Sequence, residues 1–303
     1  MDKVAGMIES TEQHPKEPAR KRKGKSSEIW RRLKKNRMAI VGLLVMILLV
    51  TLALFANQIA DYNEIVIKQN MQETLQAPSK AHPFGTDEFG RDIFARIIHG
   101  ARVSLVVGLI AVGIAMVIGG FFGAIAGYYG GRLDNAIMRT MDIFLAVPNI
   151  LLAIAIVSAL GSSVVNLMIA IGISNTPRYA RIVRASVMSV RDQEFIEAAK
   201  AIGANDFVII TRHIIPNSLA PVIVQATLGV AAAILSTAGL SFIGLGIEAP
   251  APEWGSMLAS GRTYLRNAPH ITFFPGVFIM ITILALNLLG DGLRDALDPR
   301  LKQ

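Results

Sequence analysis

The chain has no cysteine, so disulfides, thiol nucleophiles and cysteine-ligated metal sites are all excluded. Charge is also scarce. Only 17% of residues are Asp, Glu, Lys or Arg, against about 25% in a typical soluble domain. Five histidines, His14, His82, His99, His213 and His270, are scattered without the spacing of a metal site. No GxxxxGK[ST] phosphate loop occurs, so the chain lacks the usual means of binding ATP. Apolar residues and glycine are abundant instead. Of 303 residues, 52% are hydrophobic and 26 are glycine, and the mean hydropathy is +0.49. That balance describes a protein whose solvent is lipid.

A helix needs roughly 20 apolar residues to cross the bilayer core. Six runs meet that length: 38–56, 104–127, 135–160, 164–182, 216–244 and 271–289. Each is expected to be helical, because an isolated strand cannot satisfy its backbone in hydrocarbon. The expected fold class is therefore an all-α membrane protein with six transmembrane helices. If the N-terminus is cytoplasmic, 23 of the 30 Lys and Arg lie inside. The seven outside are Lys68, Lys80, Arg91, Arg96, Arg102, Arg262 and Arg266. The positive-inside rule then places both termini, and the polar segment around residue 200, in the cytoplasm.

Residues 1–37 form a basic tail. Its first 25 residues have almost nothing apolar to bury and are expected to be disordered. After them, Ser27 can cap a short helix whose Ile29, Trp30 and Leu33 share one face, as suits an elbow lying on the membrane surface. Runs such as Ala19 to Arg37 also occur in nucleic-acid binders, but here topology and attraction to anionic lipid are sufficient, so no nucleic-acid partner is expected. With no small-residue cleavage site behind it, 38–56 reads as a retained span.

Within the spans, Asp142 is the one acidic residue set well inside, with Arg139 three positions earlier on the same helix face. An interfacial ion pair accounts for them, and a proton site of an ion-coupled secondary transporter is the alternative. Gly119, Gly123 and Gly127 form a stripe suited to close helix packing, or to a flexible gate. Asn149, Asn166, Asn175, Gln225 and Thr227 can line a pore or join helices by hydrogen bonds. The acidic group Asp87, Glu88 and Asp92 fits turn and helix-start chemistry, with a cation site as the alternative. Just after it, Ile93, Phe94, Ile97, Ile98 and Ala101 share a face with Arg91, Arg96 and Arg102 turned away, which suits an interfacial helix outside the membrane.

The longest internal polar region carries the most information. Residues 191–202 are rich in helix formers, with Asp192 and Glu194 at the start and Gly203 as a natural stop. Phe195, Ala198, Ala199 and Ile202 are expected on one face. Asn205 or Asp206 can cap a second short helix over 207–213, and Pro216 can open the fifth span. Two short helices joined by a glycine make a compact docking knob.

That region resembles the EAA loop of permease subunits of binding-protein-dependent ABC importers. The resemblance is carried by Glu197-Ala198-Ala199, three residues, Gly203, and a close at Pro216, with His213 and Ile215 where the general pattern has Ile and Leu. The segment 82–108, the start "WRRLKKNRMAIVGL" and the connection "GLSFIGLGIEAPAPEWGSML" are similar to the C-type permeases of peptide importers, whose relatives also move nickel. The resemblance implies a type I ABC importer permease fold over 38–303, with coupling helices in 194–216. It implies a bacterial cytoplasmic-membrane subunit that is not itself an enzyme, paired with a homologous permease. Two cytoplasmic ATPases would carry ATP and Mg, and an extracytoplasmic binding protein would deliver peptides, nickel or another small solute. Glu197, Ala198, Ala199, Gly203 and Pro216 are the coupling residues it implies. No cofactor or metal is expected in this chain.

Overall fold

The long apolar runs do fold as helices, and lipid-facing side chains dominate their outer surfaces. In the computed structural model, which describes residues 25–247 and 249–297, α1 spans Lys25–Leu33, α2 Arg37–Leu54 and α3 Ile93–Tyr129. Helices α4 (Gly131–Leu145), α5 (Asn149–Leu160), α6 (Val164–Arg191) and α7 (Glu194–Ala201) follow. Then come α8 (Asp206–Phe242), α9 (Trp254–Gly261) and α10 (His270–Leu297). The expected disorder of the tail concerns residues outside the described ones. Among the described residues there is no β-strand, only an isolated bridge between Thr86 and Asp92. Met38, Val41, Leu44, Ile47 and Leu48 stand exposed along α2, an arrangement stable in hydrocarbon and costly in water.

The all-helical membrane fold is as expected, while the six expected spans are not matched one for one. By length and apolar content α2, α3, α8 and α10 can cross a bilayer, and α4 with α5 can add a fifth crossing although they bend by 85°. The break falls at Pro148, which lacks an amide hydrogen and keeps Val147 out of helical geometry. Helix α6 has the length, at 28 residues, but not the apolar content. It runs to Arg191, beyond the expected end at 182, and Arg181 and Arg184 find partners along it. Arg184 grips Asp134 of α4 through two hydrogen bonds of 2.5 Å, and Arg181 reaches Asp142 at 2.6 Å. Asp142 therefore pairs across helices with Arg181, not with Arg139 as expected. Helix α1 begins at Lys25, two residues before the start expected at Ser27.

The glycine stripe is a packing seam. A Cβ on Gly119 would lie 2.5 Å from the carbonyl oxygen of Thr176, and one on Gly127 would lie 2.8 Å from that of Arg184. Only hydrogen fits between the parallel helices α3 and α6. Tyr179, buried at this seam, sends its hydroxyl across to the carbonyl of Gln225 in α8 at 3.2 Å.

At one end of the bundle lies a cap. The expected interfacial helix at 93–101 is the first part of α3, which at 37 residues is about 55 Å long and overshoots a 30 Å hydrocarbon core. Contrary to expectation, Arg91 and Arg96 are buried there. Asp87 accepts from Arg91 Nε at 2.7 Å and lies 3.4 Å from Arg96 Nε, while Arg96 Nη1 donates to the carbonyl of Val66 at 3.0 Å. Asp92 caps α3 by accepting from the amide of Ala95, so turn and helix-start chemistry accounts for this acidic group. Trp254, fully buried, donates to the carbonyl of Ile97 at 3.0 Å and locks α9 onto the cap.

Candidate functional site

The opposite end carries the hairpin. Helix α6 stops at Asp192, whose carboxyl is held below its ordinary value by the Arg191 guanidinium 2.8 Å away. The chain then turns into α7, which covers 194–201 where 191–202 was expected. Gly203 follows with φ +84°, a left-handed geometry that lets the chain reverse without a Cβ clash. Asn205 then caps the return arm by accepting from the amide of Val208 at 2.9 Å.

The return arm is not a separate helix. Asp206–Val208 passes into a π-helical stretch, Ile209–Ile214, and straight on into the membrane helix, so arm and span form one 37-residue rod. Pro216 has no amide hydrogen to bond Arg212, and the widened turn before it accommodates the loss without ending the helix. A push on the arm is therefore a push on α8.

Inward, Ile196, Ala199, Ile209 and Ile214 pack with Tyr128, Val187 and Val222. Outward, Phe195, Glu197, Ala198 and Pro216 are exposed, together with Ile202 at 86% and Phe207 at 75% exposure. The single face expected of Phe195, Ala198, Ala199 and Ile202 is thus divided, because Ala199 points inward with Ile196. The hairpin is tied to the end of α3 by polar contacts. Tyr128 donates to Asp206 Oδ1 at 2.6 Å, Lys200 Nζ sits 5.6 Å from the Tyr128 ring centroid, and Arg191 Nη1 donates to the carbonyl of Gly127 at 2.9 Å. Tyr128, Arg191 and Lys200 were not singled out in the sequence. Their only signal there is an aromatic pair before Gly130 and Gly131 and two cations flanking the hairpin.

Of the five candidate pore residues, only Asn149 and Asn175 are bonded to each other among the described residues. Asn149 donates to Asn175 at 2.9 Å and joins α5 to α6, while Asn166 donates to the carbonyls of Leu160 and Gly161 and closes the turn between the same helices. Thr227 bonds the carbonyl of Ile223 in its own helix. Gln225 differs, because its Nε2 is buried with no hydrogen-bond partner among the described residues.

A multi-pass helical bundle with a polar cap at one end and a rigidly tied, apolar-faced hairpin at the other has the build of an importer's membrane subunit. Residues 119–303 match the family described as the binding-protein-dependent transport system inner membrane component, and residues 26–78 match the N-terminal TM domain of oligopeptide transport permease C. The chain belongs to that transport family and is an inner-membrane ABC importer permease. It is 52% identical over 275 residues to the dipeptide transport system permease protein DppC of Alkalihalophilus pseudofirmus, covering 91% of this chain and 90% of that one. To the glutathione transport system permease protein GsiD of Escherichia coli O157:H7 it is 46% identical over 275 residues, with the same coverage. Among solved structures, a chain of the inward-facing MetNI methionine ABC transporter shares the fold. The TM-score is 0.56 at 18% identity, covering 67% of this chain and 96% of that one.

Proposed function

We propose that this chain forms half of a translocation path for peptides, paired with a homologous permease and driven by two separate cytoplasmic ATPases. The observation that carries the reading is the hairpin, whose Ile202 and Phe207 face solvent on a segment anchored at its base by Tyr128. Exposed apolar side chains on an ordered, tethered knob favour a partner groove. The peptide class follows from likeness to the dipeptide permease. An extracytoplasmic binding protein delivers the substrate at the cap end, and both termini face the cytoplasm.

In this mechanism, ATP-driven closure of the ATPases moves the docked hairpins together. Because the return arm and α8 are one helix, the movement enters the membrane directly and rocks the bundle between outward and inward openings. Glu197, Ala198, Ala199, Gly203 and Pro216 shape the coupling element, with Ala199 acting from inside it. Purification of the complex from its native membrane, identification of its chains and uptake assays with labelled dipeptides test the reading. A functional complex lacking ATPase chains, or uptake that persists after ATP depletion and collapses with an ionophore, would overturn it.

A further inference from the structure

Helix α1 packs its Ile29 and Leu33 against Ala39, Leu293 and Ala296, which fixes it beside the last turns of α10. Between the two helices opens a cleft of about 520 Å³, lined by Arg31, Arg32, Lys35, Asn36, Asp295 and Ala296. Its volume falls within the roughly 300–1,000 Å³ of small-molecule sites. The charge balance of the lining is three cations against one carboxylate. Asp295 accepts from Asn36 Nδ2 at 3.2 Å, and Arg32 is paired with Glu28 at 2.8 Å. Arg31 and Lys35 are exposed, four residues apart and so on one helix face or its continuation.

The depth of the cleft identifies its occupant. Asn36 is at once a lining residue and the N-cap of α2, accepting from the amide of Ala39, and the uncharged run of α2 begins at Met38. The cleft therefore opens within a turn of the level where hydrocarbon begins, which is where phospholipid phosphates lie. Trp30, half exposed with Lys34 5.2 Å from its ring centroid, fits the same interfacial level. Met38, Val41 and Leu44 stand exposed along the first turns of α2, at the depth of acyl chains.

We infer that this cleft is a binding site for the phosphate headgroup of one anionic phospholipid, held by Arg31 and Lys35 with Arg32 lining the floor. The lipid would pin the elbow helix to the end of α10 and so brace the bundle at the hairpin end. This holds whichever solute the permease carries. A basic residue close to an anionic membrane surface contributes about five-fold in binding. Removing two such charges is therefore expected to weaken retention about 25-fold, and reversing them more.

Native mass spectrometry of the intact complex, titrated in detergent with phosphatidylglycerol and in parallel with phosphatidylcholine, tests the site. The expected result is preferential retention of phosphatidylglycerol that Arg31→Glu with Lys35→Glu abolishes and Lys35→Gln weakens. Arg262→Glu with Arg266→Glu, the same charge change at the cap end, should leave the preference intact. Should the cap-end pair remove the preference equally, net charge and not the cleft would be responsible. Undiminished phosphatidylglycerol retention by the Arg31→Glu, Lys35→Glu complex would overturn the proposal. So would full displacement of phosphatidylglycerol by millimolar inorganic phosphate, which would mark a free-anion site.

Discussion

Tyr128, in the last turn of α3, donates its hydroxyl to Asp206 Oδ1 at 2.6 Å, so a membrane helix and the first residue of the hairpin's return arm are directly bonded. Tyr128→Phe would keep the ring and its contact with Lys200 while removing the hydrogen bond. Because Asp206 is exposed, the loss should be only about 1 kcal/mol. The expected outcome is normal membrane abundance and normal ATPase co-purification, with less peptide carried per ATP hydrolysed in proteoliposomes. An unchanged transport-to-hydrolysis ratio would mean that apolar packing alone couples the hairpin to α3.

Gly203 tests the turn in isolation. Its φ of +84° disfavours any residue with a Cβ, yet the surroundings are open, with no atom within 4 Å of a built Cβ. Substitution therefore meets backbone strain and no collision. Gly203→Val should cost about 1–2 kcal/mol locally, redirect the return arm and reduce both ATPase association and uptake, leaving insertion intact. Gly203→Asn should be far milder, since asparagine visits this region more readily. Equal loss in the two variants would point to the side chain and not to the backbone.

Two adjacent glycines in α3 should behave oppositely. A Cβ on Gly119 would press on Thr176 and Tyr179, whereas one on Gly120 meets nothing within 4 Å. Gly119→Ala should destabilise the purified complex by about 1–3 kcal/mol, the usual cost of overpacking, and lower its thermal midpoint. Gly120→Ala should be neutral or slightly stabilising, because alanine is the better helix former. Similar melting curves for both would remove the α3–α6 seam from the account.

Much of this was readable along the chain because it is local chemistry. The glycine spacing at 119, 123 and 127, the cap at Asp92 and the reversal at Gly203 depend on residues within a turn or two. What was not legible depends on partners distant in sequence. Arg181 and Arg184 looked like the end of a span until Asp142 and Asp134 supplied carboxylates across the helix pair. Arg96 looked surface-bound because nothing in sequence places the carbonyls of Val66 and Pro250 around its guanidinium. Pro148 and Pro216 have the same chemistry and opposite outcomes. One breaks a helix, while the other is absorbed by a π-helical turn that no local pattern announces.

Topology has a direct test in a chain without cysteine. Ala204, beside the hairpin glycine, should be cytoplasmic, and Ala251, in the cap loop, should face outward. In intact cells an impermeant maleimide should therefore label Ala251→Cys, while Ala204→Cys should react only after the membrane is opened. Labelling of Ala204→Cys from outside would invert the orientation and detach the hairpin from any cytoplasmic partner.

Glu197 separates a docking role from a merely structural one. It is exposed on α7 while its neighbours Ile196 and Ala199 hold the helix to the bundle, so its side chain can change without disturbing the hairpin's base. Glu197→Lys would set a cation three residues from Lys200 and forfeit a favourable carboxylate in the first turn of the helix. Each effect is worth a few tenths of a kcal/mol, about 0.5–1 kcal/mol together. Such a loss is too small to unfold a membrane bundle. If Glu197 meets the ATPase, however, a reversed charge in a closed groove is costly, because a buried charge without a partner loses several kcal/mol of solvation. The expected pattern is wild-type membrane abundance and thermal midpoint, with ATPase co-purification and dipeptide uptake reduced ten-fold or more, and Glu197→Gln between the two. Substrate binding by the isolated binding protein should be unchanged. If Glu197→Lys kept both ATPase association and uptake at wild-type levels, the exposed carboxylate would be only a solvated helix residue, and the coupling surface would have to lie on Ile202 and Phe207 alone.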